Sequence, residues 1–410
     1  MIKRKTVYRS WKRISSEKFY VHYEWAIKLN RPCLRILGIW PKNDETKWEK
    51  LMINVRVIVL LNIGFWFCIV PSVHSLLRIW GNIMSMVDNL EYTLPSIMAM
   101  IKLFIMWKKK KDLLPLLNMI KHDWLKPKTM QERNIMIKRT RLACMITMFG
   151  YFIMFISGFF VVILPFFGIS VRYLTNITDP DRLVPLQTYY FYDRDKSPFY
   201  EITYALQIIG IYMIATSYTG TDCFLSLLVF HVCGQLENLK TRIVDLDKFH
   251  NFESIMSHSL QEHIRLIRSI NIIDNIFALM LLGALIYFGI LFAFQGFLIV
   301  SMITQRGDIS VIRLIFMLTV FVNTFVHTCL YCTVGEILVA QCEGVYKAVY
   351  ECKWYTLEPK KARNLLIIMI SANKPIYLTA GKLFPMTMAT FCNLLKTSGG
   401  YISVLLAYRE

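Results

Sequence analysis

Charge is scarce and one-sided in this sequence. Only 18% of its 410 residues are charged, and the 28 acids fall well short of the 47 bases, leaving a net charge of +19. A soluble domain carries about 25% charged residues. Catalytic signatures are missing too. No HExxH or GxxxxGK[ST] occurs, and the eight histidines are scattered at 22, 74, 122, 231, 250, 258, 263 and 327. Zinc-protease and P-loop chemistry therefore have no foothold, and the expectation is a protein that is not an enzyme. No internal repeat or low-complexity tract appears, which excludes a solenoid. No secretory leader opens the chain; MIKRKTVYRSWKRISSEKF is basic and aromatic, and the first long apolar run starts near Leu51. The ten cysteines avoid every segment expected outside the cell, so a disulfide framework is not expected. Cys329 and Cys332 form a CxxC inside an apolar run with no second pair at zinc spacing, and read as buried thiols. No metal and no cofactor is expected.

What the chain has in abundance is apolar length. It is 55% hydrophobic with a mean hydropathy of +0.43, more than a soluble core uses. A span needs about 20 apolar residues, and seven stretches qualify, near 51–72, 85–107, 143–167, 199–230, 272–303, 310–340 and 378–408. The second is the weakest, because Asp88, Glu91 and Lys102 interrupt it. The basic residues sit in blocks between these runs, a pattern that serves membrane topology rather than nucleic-acid binding. The expected fold class is an all-α membrane protein with seven transmembrane helices.

Orientation follows from the positive-inside rule. Of the 47 Lys and Arg residues, 36 fall in 1–50, 107–141, 236–268 and 336–382, and only eight in the alternate connections. The N-terminus is expected in the cytoplasm and the C-terminus outside. The lone N-x-S/T sequon, at Asn176, falls in the long connection between spans three and four, which this topology places outside where glycosylation occurs.

The inner connections continue the helical pattern. Leu236, Leu239, Ile243 and Leu246 extend span four, Leu260, Ile264 and Ile267 precede span five, and residues 361–372 form a short helix. Helical extensions are thus expected to build an intracellular anchor bundle whose apolar stripes need partners, within the chain or in another subunit. The division expected is 1–50 as a cytoplasmic or interfacial segment, 51–340 as spans one to six, 341–375 as anchor helices and 376–410 as the last span.

Seven spans suggest a G-protein-coupled receptor, but those place the N-terminus outside. Arg139 to Ala143 reads RTRLA at the wrong end of span three, and Asn373-Lys-Pro-Ile-Tyr377 only imitates NPxxY, ahead of the last span. The run from Cys329 onward carries a closer likeness. Glu336, Tyr350 with Trp354 and Tyr355, Arg363, Pro375 with Gly381, and Lys396, Thr397, Ser398, Tyr401 and Leu405 stand as in the C-terminal signature of the insect odorant receptor family, which this chain resembles. FYDRDKSPFYEITYALQ ahead of span four looks like the family as well.

The resemblance implies an odorant-gated, non-selective cation channel. It implies a heterotetramer with a shared co-receptor subunit, in the plasma membrane of olfactory sensory neuron dendrites. Its other partners are a small volatile odorant, membrane lipid and permeant cations, with no nucleic acid. The co-receptor carries a long insert between spans four and five that this chain lacks, so it resembles a ligand-tuning subunit. On a helical wheel of 386–408, Thr390, Thr397, Tyr401, Val404 and Tyr408 fall near one line with Asn393 beside it. The resemblance makes this the pore face, with Val404 at the gate; otherwise the face packs on spans five and six. Lys396 lies off that line and is expected to pack against a neighbour. The implied odorant pocket, in the outer half of the bundle, draws on Met86, Asn89, Tyr92, Ile153, Ser157, Phe160, Tyr204, Gln207, Ile208, Ile211, Ile315 and Phe316. Asp88 and Glu91 are expected to be solvated at the outer end of span two. Tyr350, Trp354, Tyr355, Leu365 and Ile368 are expected to anchor subunits. A gustatory-type receptor channel or a G-protein-coupled receptor remains the alternative.

Overall fold

The structure is a computed structural model, and it describes residues 19–42, 44–172, 174–178, 181–245, 252–304, 311–352, 354–356, 358–374 and 376–407. A short helix α1 (Asn30–Ile36) precedes a run of long ones: α2 (Lys47–Arg78), α3 (Ile83–Lys108), α4 (Lys110–Leu125), α5 (Met130–Phe166), α6 (Phe199–Val244), α7 (Phe252–Thr304) and α8 (Val311–Glu351). After α9 (Pro359–Ala372), a two-residue ribbon pairs β1 (Thr379–Ala380) with β2 (Phe384–Pro385), and α10 (Met388–Ala407) closes the described chain.

Local chemistry sets these boundaries. Thr46 and Glu49 form a reciprocal capping box at the start of α2, and Thr129 and Glu132 repeat it at α5. Asn82 caps α3 through the Ser85 amide at 3.2 Å. Gly81, at φ +99°, makes the break between α2 and α3 that a side chain would resist. Pro359 opens α9 at a position where its missing N–H costs nothing.

Six of these helices, α2, α3, α5, α6, α7 and α8, are long and apolar enough to cross a membrane. The last expected span is α10, whose 20 residues rise about 30 Å, the thickness of the hydrocarbon layer. Lengths in α6 and α7 exceed that need. Their 46 and 53 residues reach about 70 and 80 Å, so both run well past the bilayer, as the stripes after span four and before span five predict. The side chains they carry there pack into one large core with α4, α8 and α9. Exposed aromatics such as Phe149, Phe152, Phe155 and Phe159 line the outside of α5, the dress of a helix whose solvent is lipid.

The described residues of the 168–198 connection lie at one end of the bundle, where the Tyr189 amide donates to the Pro71 carbonyl, and α4, α9 and the ends of α6, α7 and α8 lie at the other. We refer to these as the loop end and the anchor end. All ten cysteines are free thiols.

Two expectations need correction. Asp88 and Glu91 are not solvated: they retain only 3% and 7% of their exposure. Lys102 is equally enclosed, and what interrupts the apolar run of α3 is its interior face. Lys396 is exposed in the single chain, which leaves its expected packing against a neighbour to another subunit.

Candidate functional site

Five helices and the loop-end connection line a cavity of about 210 Å³. Drug-sized sites span about 300–1,000 Å³, so this one suits a smaller guest. Its wall takes Glu91, Tyr92, Pro95 and Ser96 from α3, Ile153, Met154 and Ser157 from α5, and Ile211, Tyr212 and Tyr218 from α6. From α7 and α8 come Tyr287, Phe288, Leu291, Phe316, Asn323 and His327. Apolar and aromatic side chains dominate, with few polar groups among them, the composition of a small-molecule site.

The wall is shaped by specific contacts. Tyr92 stacks on Phe316 with ring centres 6.0 Å apart, and Phe160 approaches Phe316 at 5.9 Å from the side. Tyr218 meets His327 at 5.6 Å and Tyr287 at 6.3 Å. His327 Nδ1 lies 3.1 Å from the Asn323 carbonyl, which orients the ring. Pro95 sits inside α3 and removes the amide that the Glu91 carbonyl would otherwise accept from.

Some expected pocket residues lie on the wall and others frame it. Tyr92, Ile153, Ser157, Ile211 and Phe316 face the cavity. Asn89 and Gln207 instead hold the loop-end connection. Asn89 donates to the Ser72 and Gln187 carbonyls at 3.3 and 3.2 Å. Gln207 accepts from the Leu186 amide at 3.2 Å and donates to Thr188 and Tyr190 at 3.0 and 2.9 Å. That clamp brings Leu186 onto the cavity wall. Tyr204 donates to the Val162 carbonyl at 2.8 Å and braces α5 against α6. Met86 and Ile208 are half-buried off the wall, and Ile315 is 49% exposed beside its buried neighbour Phe316.

Below the cavity, toward the anchor end, Lys102 and Asp222 form a buried ion pair; above it, Arg313 lies 3.2 Å from Asp88. These residues were missed as site elements, though a signal existed. On α3, positions 88, 91, 95 and 102 fall within about 60° on the helical wheel. One face of an apolar helix carrying both signs of charge must turn inward to find partners.

The last helix has two unlike sides. Phe391 and Ser398 are buried, and Ser398 donates to the Gly289 carbonyl on α7 at 3.2 Å. Ile402 occupies the space a side chain at Gly296 would take. Away from α7, Asn393, Thr397, Tyr401 and Val404 are exposed, and Thr390 is half-exposed with its hydroxyl donated to Pro385. The α10 register is fixed at its start, where the Met388 amide donates to Glu336 at 3.2 Å. The ribbon before it is held by Asp274, which accepts from the Thr379 amide and hydroxyl at 2.7 and 2.9 Å and pairs with Lys382. Pro375, Tyr408 and the Leu405 side chain lie outside the described residues.

At the anchor end, Leu365 and Ile368 are buried within the chain, whereas Tyr350, Trp354 and Tyr355 are 64%, 46% and 70% exposed. Asn176 is exposed in the loop-end connection.

Residues 82–399 match the family model described as 7tm odorant receptor. Odorant receptor 10 of Aedes albopictus is 25% identical over 225 residues, 52% of this chain and 57% of that protein. The chain thus spans little more than half the length of that relative. Odorant receptor 10a of Drosophila melanogaster is 22% identical across 92% of this chain and 95% of its own. In three dimensions the chain resembles the olfactory receptor OR5 of Machilis hrabei in complex with eugenol, at a TM-score of 0.80 and 16% identity over 95% of this chain and 99% of that one.

Proposed function

Because this chain belongs to the 7tm odorant receptor family, we propose that it is an odorant-binding subunit of a ligand-gated, non-selective cation channel. The observation that carries the reading is the position of α7. Phe288 lines the cavity, and the next residue, Gly289, accepts from Ser398 of α10. One helix is the wall of the ligand chamber and the seat of the candidate pore helix.

An odorant gains its binding energy mainly from apolar burial, about 25 cal/mol per Å². It shifts the channel only by the difference between its affinities for the open and closed arrangements. A guest that spreads Phe288 and Leu291 displaces α7, and with it the Gly289 and Gly296 seats of Ser398 and Ile402. Val404 then leaves the axis and cations pass; while it stays, an apolar ring dewets the pore. The single chain leaves Asn393, Thr397, Tyr401 and Val404 uncovered on α10. Hydroxyl and amide groups are costly against lipid, so this face calls for water or a second subunit.

The partner is the co-receptor subunit in a heterotetramer, joined at the anchor end. There, uncovered Tyr350, Trp354 and Tyr355 meet the other subunit, while Leu365 and Ile368 hold α9 in place. In this reading residues 1–50 are cytoplasmic, 341–375 form the anchor and 376–410 the pore segment. Asn176 is glycosylated outside, and the assembly resides in the plasma membrane of olfactory dendrites. Expression in a silent cell, with and without the co-receptor, tests this by recording current against a panel of volatiles. Odorant-evoked current only with the co-receptor supports it; no current at confirmed surface expression refutes it.

A further inference from the structure

The cavity wall carries one carboxylate, and it is unusually placed. Glu91 retains 7% of its exposure, and its Oε1 has no hydrogen-bond partner among the described residues. Arg313 pairs with Asp88, one helical turn nearer the loop end, at 3.2 Å. Glu91 itself is one of the residues that line the cavity. A buried carboxylate oxygen without a partner is costly. A guest that brings its own N–H donors or positive charge relieves that cost.

The rest of the wall suits the same guest. Tyr92 and Asn323 each add an unpartnered oxygen at the cavity. Tyr92, Tyr212, Tyr218 and Phe288 line the space, and aromatic rings attract cations. A carboxylate set among aromatic rings is the chemistry that recognises an ammonium group, while Ile153 and Leu291 accept a short hydrocarbon tail. Below the floor, Lys102 lies over the ring of Tyr218 but is neutralised by Asp222.

We propose that the odorants of this receptor are small primary or secondary amines, their nitrogen bound by Glu91 and their apolar body by the aromatic wall. The inference rests on the reading of this cavity as the odorant site. Its test uses matched probes that differ in one group: 2-phenylethylamine, 2-phenylethanol and 2-phenylethyl acetate. Two readouts are taken on the full-length protein. One is odorant-evoked current in cells that also express the co-receptor. The other is ligand-induced thermal stabilisation of the purified protein in detergent, which needs no channel activity.

The expected result is an apparent affinity for the amine at least tenfold above that for the alcohol in both readouts. Glu91→Gln is expected to bring the amine-to-alcohol ratio close to one. Equal or weaker binding of the amine by the wild-type protein overturns the inference, as does a ratio that survives in Glu91→Gln. If that variant does not reach the surface, the wild-type ratio decides alone. Binding of amines without current refutes the channel reading and leaves the amine inference standing; current evoked by the alcohol or ester but not by the amine does the reverse.

Discussion

The Lys102 ammonium lies 2.7 and 2.9 Å from the two carboxylate oxygens of Asp222, with both side chains almost fully enclosed. The Tyr331 hydroxyl accepts a further bond from it at 2.9 Å, and the ring of Tyr218 is centred 3.5 Å away. Lys102 therefore ties α3 to α6 and α8 directly beneath the cavity floor. Breaking a buried pair on one side leaves a charge with no compensation, at a cost of about 3–5 kcal/mol. Lys102→Met or Asp222→Leu alone is expected to lower the thermal unfolding midpoint sharply. The double variant should recover most of the loss, since it removes both charges. A double variant as unstable as the sum of the singles would contradict this role.

Phe316 shapes the cavity by stacking on Tyr92. Phe316→Ala deletes that wall and is expected to weaken aromatic odorants at least tenfold, equivalent to about 1.4 kcal/mol, while admitting bulkier ones. Leu318, two residues on and 46% exposed, faces away; Leu318→Ala should leave dose–response curves in place. Equal shifts in the two variants would show that the effect is not local to the cavity.

At the anchor end, Asp123 of α4 is buried beside His231, 3.0 Å away, and Arg265, also 3.0 Å away. Burial opposes its ionisation, but the His231 hydrogen bond and the charges of Arg265 and Lys128 prevail and hold the carboxyl down at about 2. An unfolded Asp titrates near 3.9. The folded value is the lower one, so the group stabilises the fold above the unfolded pKa and loses that contribution as pH falls through about 4 toward 2. The contribution is at most about 2–3 kcal/mol. Asp123→Asn should unfold at a lower temperature than wild type at pH 7, and the gap should narrow by pH 3. A gap that is constant with pH would exclude this linkage.

Asn176 tests the topology. It is exposed in the loop-end connection, and an outside location predicts an N-glycan. Endoglycosidase treatment should increase the gel mobility of wild type and leave Asn176→Gln unchanged. An epitope at residue 1 should stain only after permeabilisation. Staining of intact cells through the N-terminus would reverse the orientation.

Much of this architecture was legible because its signals are long. Each of the six long spans is a largely apolar run with a basic block at one end, and the α9 helix shows at 361–372 against the observed Pro359–Ala372. On α10, Thr397 is exposed while its neighbour Ser398 is turned to α7, as helical period requires of adjacent residues. The cavity was harder to read. Ile315 and Phe316 are adjacent, and only tertiary packing decides that one faces outward and the other into the site. Asn89 and Gln207 are polar residues in apolar helices, a pattern shared by ligand contacts and loop clamps; their partners, Ser72, Gln187 and Thr188, are distant in sequence. Asp88, Glu91 and Lys102 read as interruptions of a weak span because hydropathy averages over faces. The wheel for α3, rather than its mean, holds the information.

The measurement that bears most directly on the account is ion permeability of the odorant-evoked current in Val404 variants, with the co-receptor present. Val404 is 67% exposed on the uncovered side of α10 and touches nothing in the cavity. If α10 lines a pore opened from the cavity, substituting Val404 with Ser, Phe or Lys should change the calcium-to-sodium permeability ratio in a side-chain-dependent way, while odorant selectivity stays as in wild type. An unchanged ratio across all three variants would contradict the account.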